Sequence, residues 1–235
     1  MTGKQFLVMQ TNVGNMLHDT TSAMLTLIKV WINDAYQDAW RRGLWSDLID
    51  DDFTFDSVVD QAEYSFVTDF SITNFGKEVL VADIENGHLL DRMTIKGWWQ
   101  YRARDYNSEK LDSGNSARYV ILPEAGKIKL DPPPDAAEKY AMPYQKEVAN
   151  LSGNTDTPGI TTISSYLEYA AISVGFSYKK EYDASVFWHN KAETELQKLI
   201  TEENVKINQI YQRVLSGRTV RRKESLLGDK SYDTV

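Results

Sequence analysis

Residues 20–45 read TTSAMLTLIKVWINDAYQDAWRRGLW, and this stretch decides how the chain folds. Met24, Leu27, Ile28, Trp31, Ala35 and Ala39, with Ile32, Tyr36 and Trp40 beside them, recur at the i, i+3, i+4, i+7 spacing of one helical face. Lys29, Asn33, Asp34, Gln37 and Asp38 take the other face. Asp19, Thr20, Thr21 and Ser22 are candidate N-caps, whose side-chain oxygens accept from free backbone N–H groups. Arg41 and Arg42 suit the negative end of the helix dipole, and Gly43 stands where a left-handed closing residue is expected. The spacing and both end signals predict a helix over residues 20–42, about 33 Å long at roughly 1.5 Å per residue. Its stripe is wide and rich in tryptophan. Such a stripe needs cover on more than one side, from a bundle or from a neighbouring subunit.

Upstream, residues 5–17 read as a short arm or strand followed by a turn of helix, broken at Gly14 and Asn15. Downstream, Leu44, Trp45 and Leu48 are expected to tuck back onto the long helix, and Asp47, Asp50, Asp51 and Asp52 form an acidic hinge. From Phe53 the apolar period shortens to two, the period of a strand. Phe53 and Phe55 predict a strand entering a turn at Val58 and Val59; Tyr64, Phe66 and Phe70 predict a second. Residues 79–84 predict a third, with a hairpin at Asn86-Gly87 and a return over 89–95. Residues 98–106 read as a short helix, 111–116 as a loop, and 119–122 with 127–130 as a hairpin. Asp131-Pro132-Pro133-Pro134 ends strand pairing, because proline has no N–H to donate, and residues 140–148 resume extended structure.

A second polar hinge covers 150–158. Helical spacing then returns in Tyr166, Leu167, Tyr169, Ala170, Val174 and Phe176. A further helix, capped at Asp183, carries Phe187, Trp188, Ala192, Leu196, Leu199, Ile200, Ile207, Ile210 and Val214, with a bend near 201–204. The polar tail, 217–235, contains a basic knot of Arg218, Arg221, Arg222 and Lys223. The fold class is therefore α+β: a helical bundle, made of one long N-terminal helix and a C-terminal helix pair, with an inserted antiparallel β-rich domain. The expected divisions are an arm and long helix over 1–50, a β-rich insertion over 51–150, the helix pair over 151–216 and a partner-binding tail over 217–235.

Composition excludes several functions. The 235 residues include no cysteine, so disulfides, thiolate metal sites and a cysteine nucleophile are absent. A formal charge of −8 disfavours general nucleic-acid binding, which demands a basic surface. No apolar run approaches the roughly 20 residues that span a bilayer, and residues 1–12 lack the form of a signal peptide. There is no GxGxxG, Walker loop, HExxH or GxSxG. His18, His88 and His189 lack metal-ligand spacing, and the aspartates of 47–52 lack the glycine and closing glutamate of a calcium loop. No catalytic, cofactor-binding or metal-binding residue stands out. Trp31, Trp40, Trp45 and Trp188 read as core or subunit-interface anchors, since tryptophan buries a large area. Trp98, Trp99 and Tyr101 offer an alternative reading as sugar-stacking residues of a carbohydrate-binding or carbohydrate-cleaving domain.

Three segments together resemble the head-to-tail adaptor, or connector, proteins of tailed bacteriophages. IKVWINDAYQDAWRRGLWSDL, 28–48, is similar to the family's first long helix with its aromatic-rich end. FTFDSVVDQAEYSFVTDF, 53–70, is similar to the family's β entry, with Phe66-Val67 where Leu-Pro is usual. IKLDPPPDAAEKYAMPYQKEVANLSGNTDTP, 128–158, leads into LEYAA and KAETELQKLI, which resemble the closing helices. The resemblance implies a non-enzymatic structural virion protein in the neck, between capsid portal and tail, assembled in the host cytoplasm. It implies a ring, commonly of 12 copies, that binds the portal protein and the next neck or tail protein and surrounds the DNA channel. Genomic DNA then passes through the lumen without sequence-specific binding, and no membrane or cofactor is involved. In that setting Arg218, Arg221, Arg222 and Lys223 are expected to reach the portal. Asp34, Asp38 and Glu203 are candidate lumen carboxylates that no feature singles out. Another tail-completion protein remains an alternative.

Overall fold

The computed structural model describes residues 3–50, 52–65, 80–104, 114–122 and 126–228, with side chains described except at 101–104 and 210–228. The chain divides into two compact units, Met1–Leu48 with Val148–Ile207, and Ile49–Glu147 with Asn208–Val235. Helices and mainly antiparallel sheets make it an α+β protein.

The first unit is helical. It holds α1 (Phe6–Met16), α2 (Ser22–Arg42), α4 (Ser164–Tyr178) and the opening turns of α5 (Tyr182–Gly228). Helix α2 lies against both α1 and α4, and α1 also packs on α4. Ile28, Ile32, Tyr36, Ala39 and Trp40 of α2 are buried with Ile163, Leu167, Leu196 and Leu199. Each such side chain contributes about 1.5–3 kcal/mol on leaving water. Thr21 caps α2 by accepting from the Met24 N–H at 3.4 Å, while Asp19 accepts from the Thr21 N–H at 3.0 Å and its hydroxyl at 2.8 Å.

Several local expectations change. Residues 6–16 form a full helix, not a strand or arm: Phe6, Met9, Val13 and Leu17 keep helical spacing and all are buried. Gly14 does not break it. A Cβ there would come within 3.2 Å of the Asp19 carbonyl, so glycine lets the chain double back tightly after the helix. Gly43 is extended, at φ −134 and ψ 164, and not left-handed. The extended exit lets Trp45 turn under α2, where its Nε1 donates to the Ala39 carbonyl at 3.0 Å; a Gly43 Cβ would meet that indole at 3.2 Å. Helix α5 runs on unbroken through Gly217 to Gly228, carried past the glycine by arginine, lysine and glutamate, all good helix formers.

The stretch after Glu147 reads as a hinge but is pinned. Asn33 donates to the Leu151 carbonyl at 3.0 Å and accepts from the Leu151 N–H at 2.8 Å. Gln37 donates to the Val148 carbonyl and to Asn150. Asp156 gathers the Ser152 and Gly153 N–H groups at 2.8 and 2.7 Å, and these bonds hold its carboxyl below the usual aspartate value. The Asp156 and Asn154 carbonyls accept from the Phe6 and Leu7 N–H groups at 2.7 and 3.1 Å, which satisfies the free N-terminus of α1. Asp47, in the acidic stretch, accepts from the Thr161 N–H and hydroxyl at 2.9 and 2.7 Å.

The second unit is β-rich. Its strands are β1 (Ile49–Asp50), β2 (Thr54–Asp56), β3 (Glu63–Ser65), β4 (Ala82–Asp83), β5 (His88–Leu89), β6 (Asp91–Met93), β7 (Arg118–Leu122), β8 (Lys127–Asp131), β9 (Lys139–Ala141) and β10 (Tyr144–Gln145). They pair as a four-stranded sheet β2-β9-β4-β5, another of order β3-β8-β7-β6, and a two-stranded β1-β10 ribbon. Tyr64, Val81, Ile128, Leu130, Tyr140 and Met142 form one core that both larger sheets share. Phe55 stacks on Tyr140 at 5.5 Å and meets Tyr64 at 5.2 Å. The β7–β8 hairpin follows the spacing. The Asn86-Gly87 turn is longer than a two-residue hairpin: Asp83 Oδ1 accepts from the Glu85 and Asn86 N–H groups at 2.8 and 2.9 Å, and Gly87 takes φ +70. The return strand β6 leaves this sheet and pairs parallel with β7. Helix α3 (Ile95–Arg104) follows it. The expectations at Phe66 and Phe70, half of the 111–116 loop and most of the 123–126 loop fall outside the described residues.

Two outcomes follow. A Cβ at Gly175 of α4 would collide with the Leu17 side chain, so Gly175→Ala is expected to lower stability by about 1–3 kcal/mol in urea unfolding. The depressed Asp156 carboxyl contributes stability above its unfolded value of 3.8 and loses it as pH falls through the folded value. Asp156→Asn is therefore expected to flatten the acid limb of a stability–pH profile.

Candidate interaction face

The helical unit closes its own core and leaves apolar side chains exposed at the α4–α5 corner. At the turn between α4 and α5, Tyr178, Tyr182, Val186 and Phe187 are 58–64% exposed. Large apolar side chains left in water this close together along the chain are candidates for an interaction surface. Trp31 of α2 lies half-buried beside it, its ring centre 5.9 Å from that of Tyr178. On α5, half-buried Trp188 contacts Tyr169 and Phe187 at 5.5 Å each, and the Lys191 ammonium lies 4.3 and 4.6 Å from the Tyr169 and Trp188 rings.

Trp31 and Val174 also border a cleft of about 290 Å³ between α2, α4 and α5. It stays open because Ala35, Ala170 and Ala192 meet there, one small residue from each helix. Its polar wall is acidic: Asp34 and Asp38 from α2 and Glu193 from α5, with His189 nearby. Arg42 forks onto Glu193 at 2.7 and 2.5 Å and reaches Asp38 at 3.3 Å, tying α2 to α5. That hydrogen bonding holds the Glu193 carboxyl below its usual value. The Tyr166 hydroxyl donates to Asp38 at 3.1 Å, and burial raises its pKa, with Asp38 adding to the shift. One guanidinium among three carboxylates leaves the cleft with excess negative charge.

The anchors named from sequence divide into two kinds. Trp40 and Trp45 are sealed in the core at 1% and 0% exposure, whereas Trp31 and Trp188 sit at the surface. Arg218, Arg221, Arg222 and Lys223 fall on α5, with side chains outside the described residues. Asp34 and Asp38 line the cleft. Glu203 instead is 3% exposed and accepts from the Ser46 N–H and hydroxyl at 2.7 and 2.6 Å, with Lys206 also paired to it. It fastens the turn after α2 to α5 and is unavailable to a channel. Phe187, expected in the core, lies outside it because α5 turns this residue away from α2 and α4. Sequence reading missed Tyr178, Tyr182 and Val186, which mark the α4–α5 corner only once the turn is known. The three facing alanines were a usable signal for the cleft.

Two buried acids of the β unit serve the fold. Buried Asp83 and Glu138 of the β unit share the Asn86 side-chain amide, at 2.7 Å each, and Glu138 also accepts from the Tyr140 hydroxyl at 2.7 Å. Trp98 and Trp99 stand edge-to-face at 71°, which gives no shared stacking plane for a sugar, although Trp99 is 62% exposed. Among the described residues no group of three or more histidine and acidic side chains could hold a metal ion, and no helix is long and apolar enough to cross a membrane.

A helical unit that is closed inside and apolar at one corner has the make-up of an assembly component. Over residues 5–221 the chain matches the model of the SU10 adaptor protein family. It belongs to that family, a phage adaptor of structural kind, associated with the virion and with other virion proteins. No curated protein matches its sequence.

The burial pattern separates the tryptophans by experiment. Trp40→Ala is expected to cost about 3–5 kcal/mol in denaturant unfolding. Trp31→Leu is expected to leave the midpoint nearly unchanged.

Proposed function

We propose that this chain forms a closed ring, of about 12 copies by the family resemblance, between the portal vertex and the tail, and that the ring is part of the DNA channel. Membership in the adaptor family carries the reading. The open corner of Trp31, Tyr178, Tyr182 and Phe187 supports it, because a ring is built from heterologous contacts, in which a patch on one copy meets a different patch on the next. The formal charge of −8 supports passage without sticking, since DNA is repelled by lumen-facing carboxylates within about 10 Å at 0.1 M salt. The partners are then the portal protein on one side and the next neck or tail protein on the other.

Light scattering with negative-stain imaging, on the purified chain alone and mixed with a portal ring, tests this. A ring or a decorated portal is the expected outcome. A monomer that ignores the portal contradicts it, and a glycan screen would then examine the exposed Trp99.

A further inference from the structure

We infer that the turn at residues 58–61 of one copy docks on the exposed face of α3 of a second copy. The second copy rests on the ring reading; the fit rests on the two surfaces. Turn residues are usually polar or glycine, yet this turn lifts Val58 and Val59 into water at 54% and 50% exposure. It is held in place from several sides. The Gln61 N–H donates to the Val58 carbonyl at 3.0 Å, and the Asp60 N–H donates to the Pro134 carbonyl at 2.9 Å. The Tyr64 hydroxyl accepts from the Val58 N–H at 3.1 Å and donates to the Gln61 carbonyl at 2.5 Å. Asp60 takes φ +62, a conformation that costs energy in any residue but glycine. A pinned apolar tip has little freedom left to lose on binding, which suits a docking element.

Helix α3 of the same β unit offers the matching surface. Thr94 accepts from the Gly97 N–H at 3.0 Å at the start of the helix, and the Lys129 ammonium lies 4.7 Å from the Trp98 ring centre. Trp98 thus seats the helix, while Ile95 and Trp99, one turn apart, stay 41% and 62% exposed, with Lys96 beside them. Charge sorts the same way. Residues 43–76 hold eight acids and no cation, whereas residues 92–104 hold four cations and no acid. Lys139 stands opposite Asp56 in the β2–β9 register, which leaves Asp60 to carry the charge of the tip. Neither Asp60 nor Lys96 is ion-paired among the described residues. An apolar tip with a carboxylate therefore meets an apolar platform with an ammonium. One chain does not close this contact on itself, since all four apolar side chains are exposed in it. The turn leads into β3 and α3 follows β6, the two outer strands of the sheet β3-β8-β7-β6. Three spacings of roughly 4.8 Å set those strands about 14 Å apart. Two different patches on one unit make a heterologous contact, which repeats from copy to copy.

The lack of cysteine gives a clean test. Full-length Val59→Cys and Gln100→Cys chains, one of them carrying a mass tag, are mixed, oxidised and run without reductant. Exposed Val205→Cys replaces Gln100→Cys as control. Light scattering is recorded on the same samples. Docking predicts a cross-linked dimer of the two variants, several-fold above control. High salt reduces it, and so does Trp99→Ala added to the Gln100→Cys chain. Cross-linking that Trp99→Ala leaves unchanged overturns the α3 platform. Cross-linking without rings keeps the docking and overturns the closed ring. Rings with control-level cross-linking overturn the docking and leave the ring reading standing. Monomers with control-level cross-linking overturn both.

Discussion

Everything in the helical unit depends on covering α2. Its apolar stripe is too wide for one partner, so α1, α4 and α5 gather around it and Trp45 folds under its end. The polar face is used as well. Asn33 and Gln37 hold residues 148–151 through three hydrogen bonds to the backbone and one to the Asn150 side chain, which fixes the chain where it re-joins the helices. Bonds of this kind are worth about 1 kcal/mol each in net stability, but their effect on topology is larger. They let a chain leave for about a hundred residues and return to a defined place.

The same constraint explains what could be read in advance. Helix α2 was legible in full, because periodicity, caps and basic end residues agreed; only the form of its exit at Gly43 differed. The β7–β8 hairpin and the aromatic alternation at Phe53 and Phe55 were legible for the same reason. Helix α1 was not. Gly14 is a poor helix former, and its value lies in a close backbone approach to Asp19 that no local rule contains. Asp156 made the 150–158 stretch look like a loose, polar connection, whereas its carboxylate organises a tight turn that caps α1 from more than a hundred residues away. Of the candidate face, Trp31 and Trp188 were named in advance, but sequence could not separate them from Trp40 and Trp45. That difference is set by which neighbours arrive, not by helical position.

Closure and incompleteness coexist in this unit. The core around Ile28, Ile32 and Trp40 is finished within one chain, while Tyr178, Tyr182 and Phe187 remain in water. Exposing such side chains carries a cost of about 25 cal/mol per Å², recovered when a partner covers them. The acidic charge works against casual association between copies. Asp83, Glu138 and Glu203 belong to folding, since each already accepts hydrogen bonds within the chain.

Hydrogen exchange on the chain alone and on the chain assembled with its virion partners tests this division most directly. The account predicts slow exchange over residues 28–40 in the isolated chain, with new protection on assembly centred on 174–189. Free exchange over 28–40 until a partner is added would contradict it, because the helical unit would then depend on assembly for its own core.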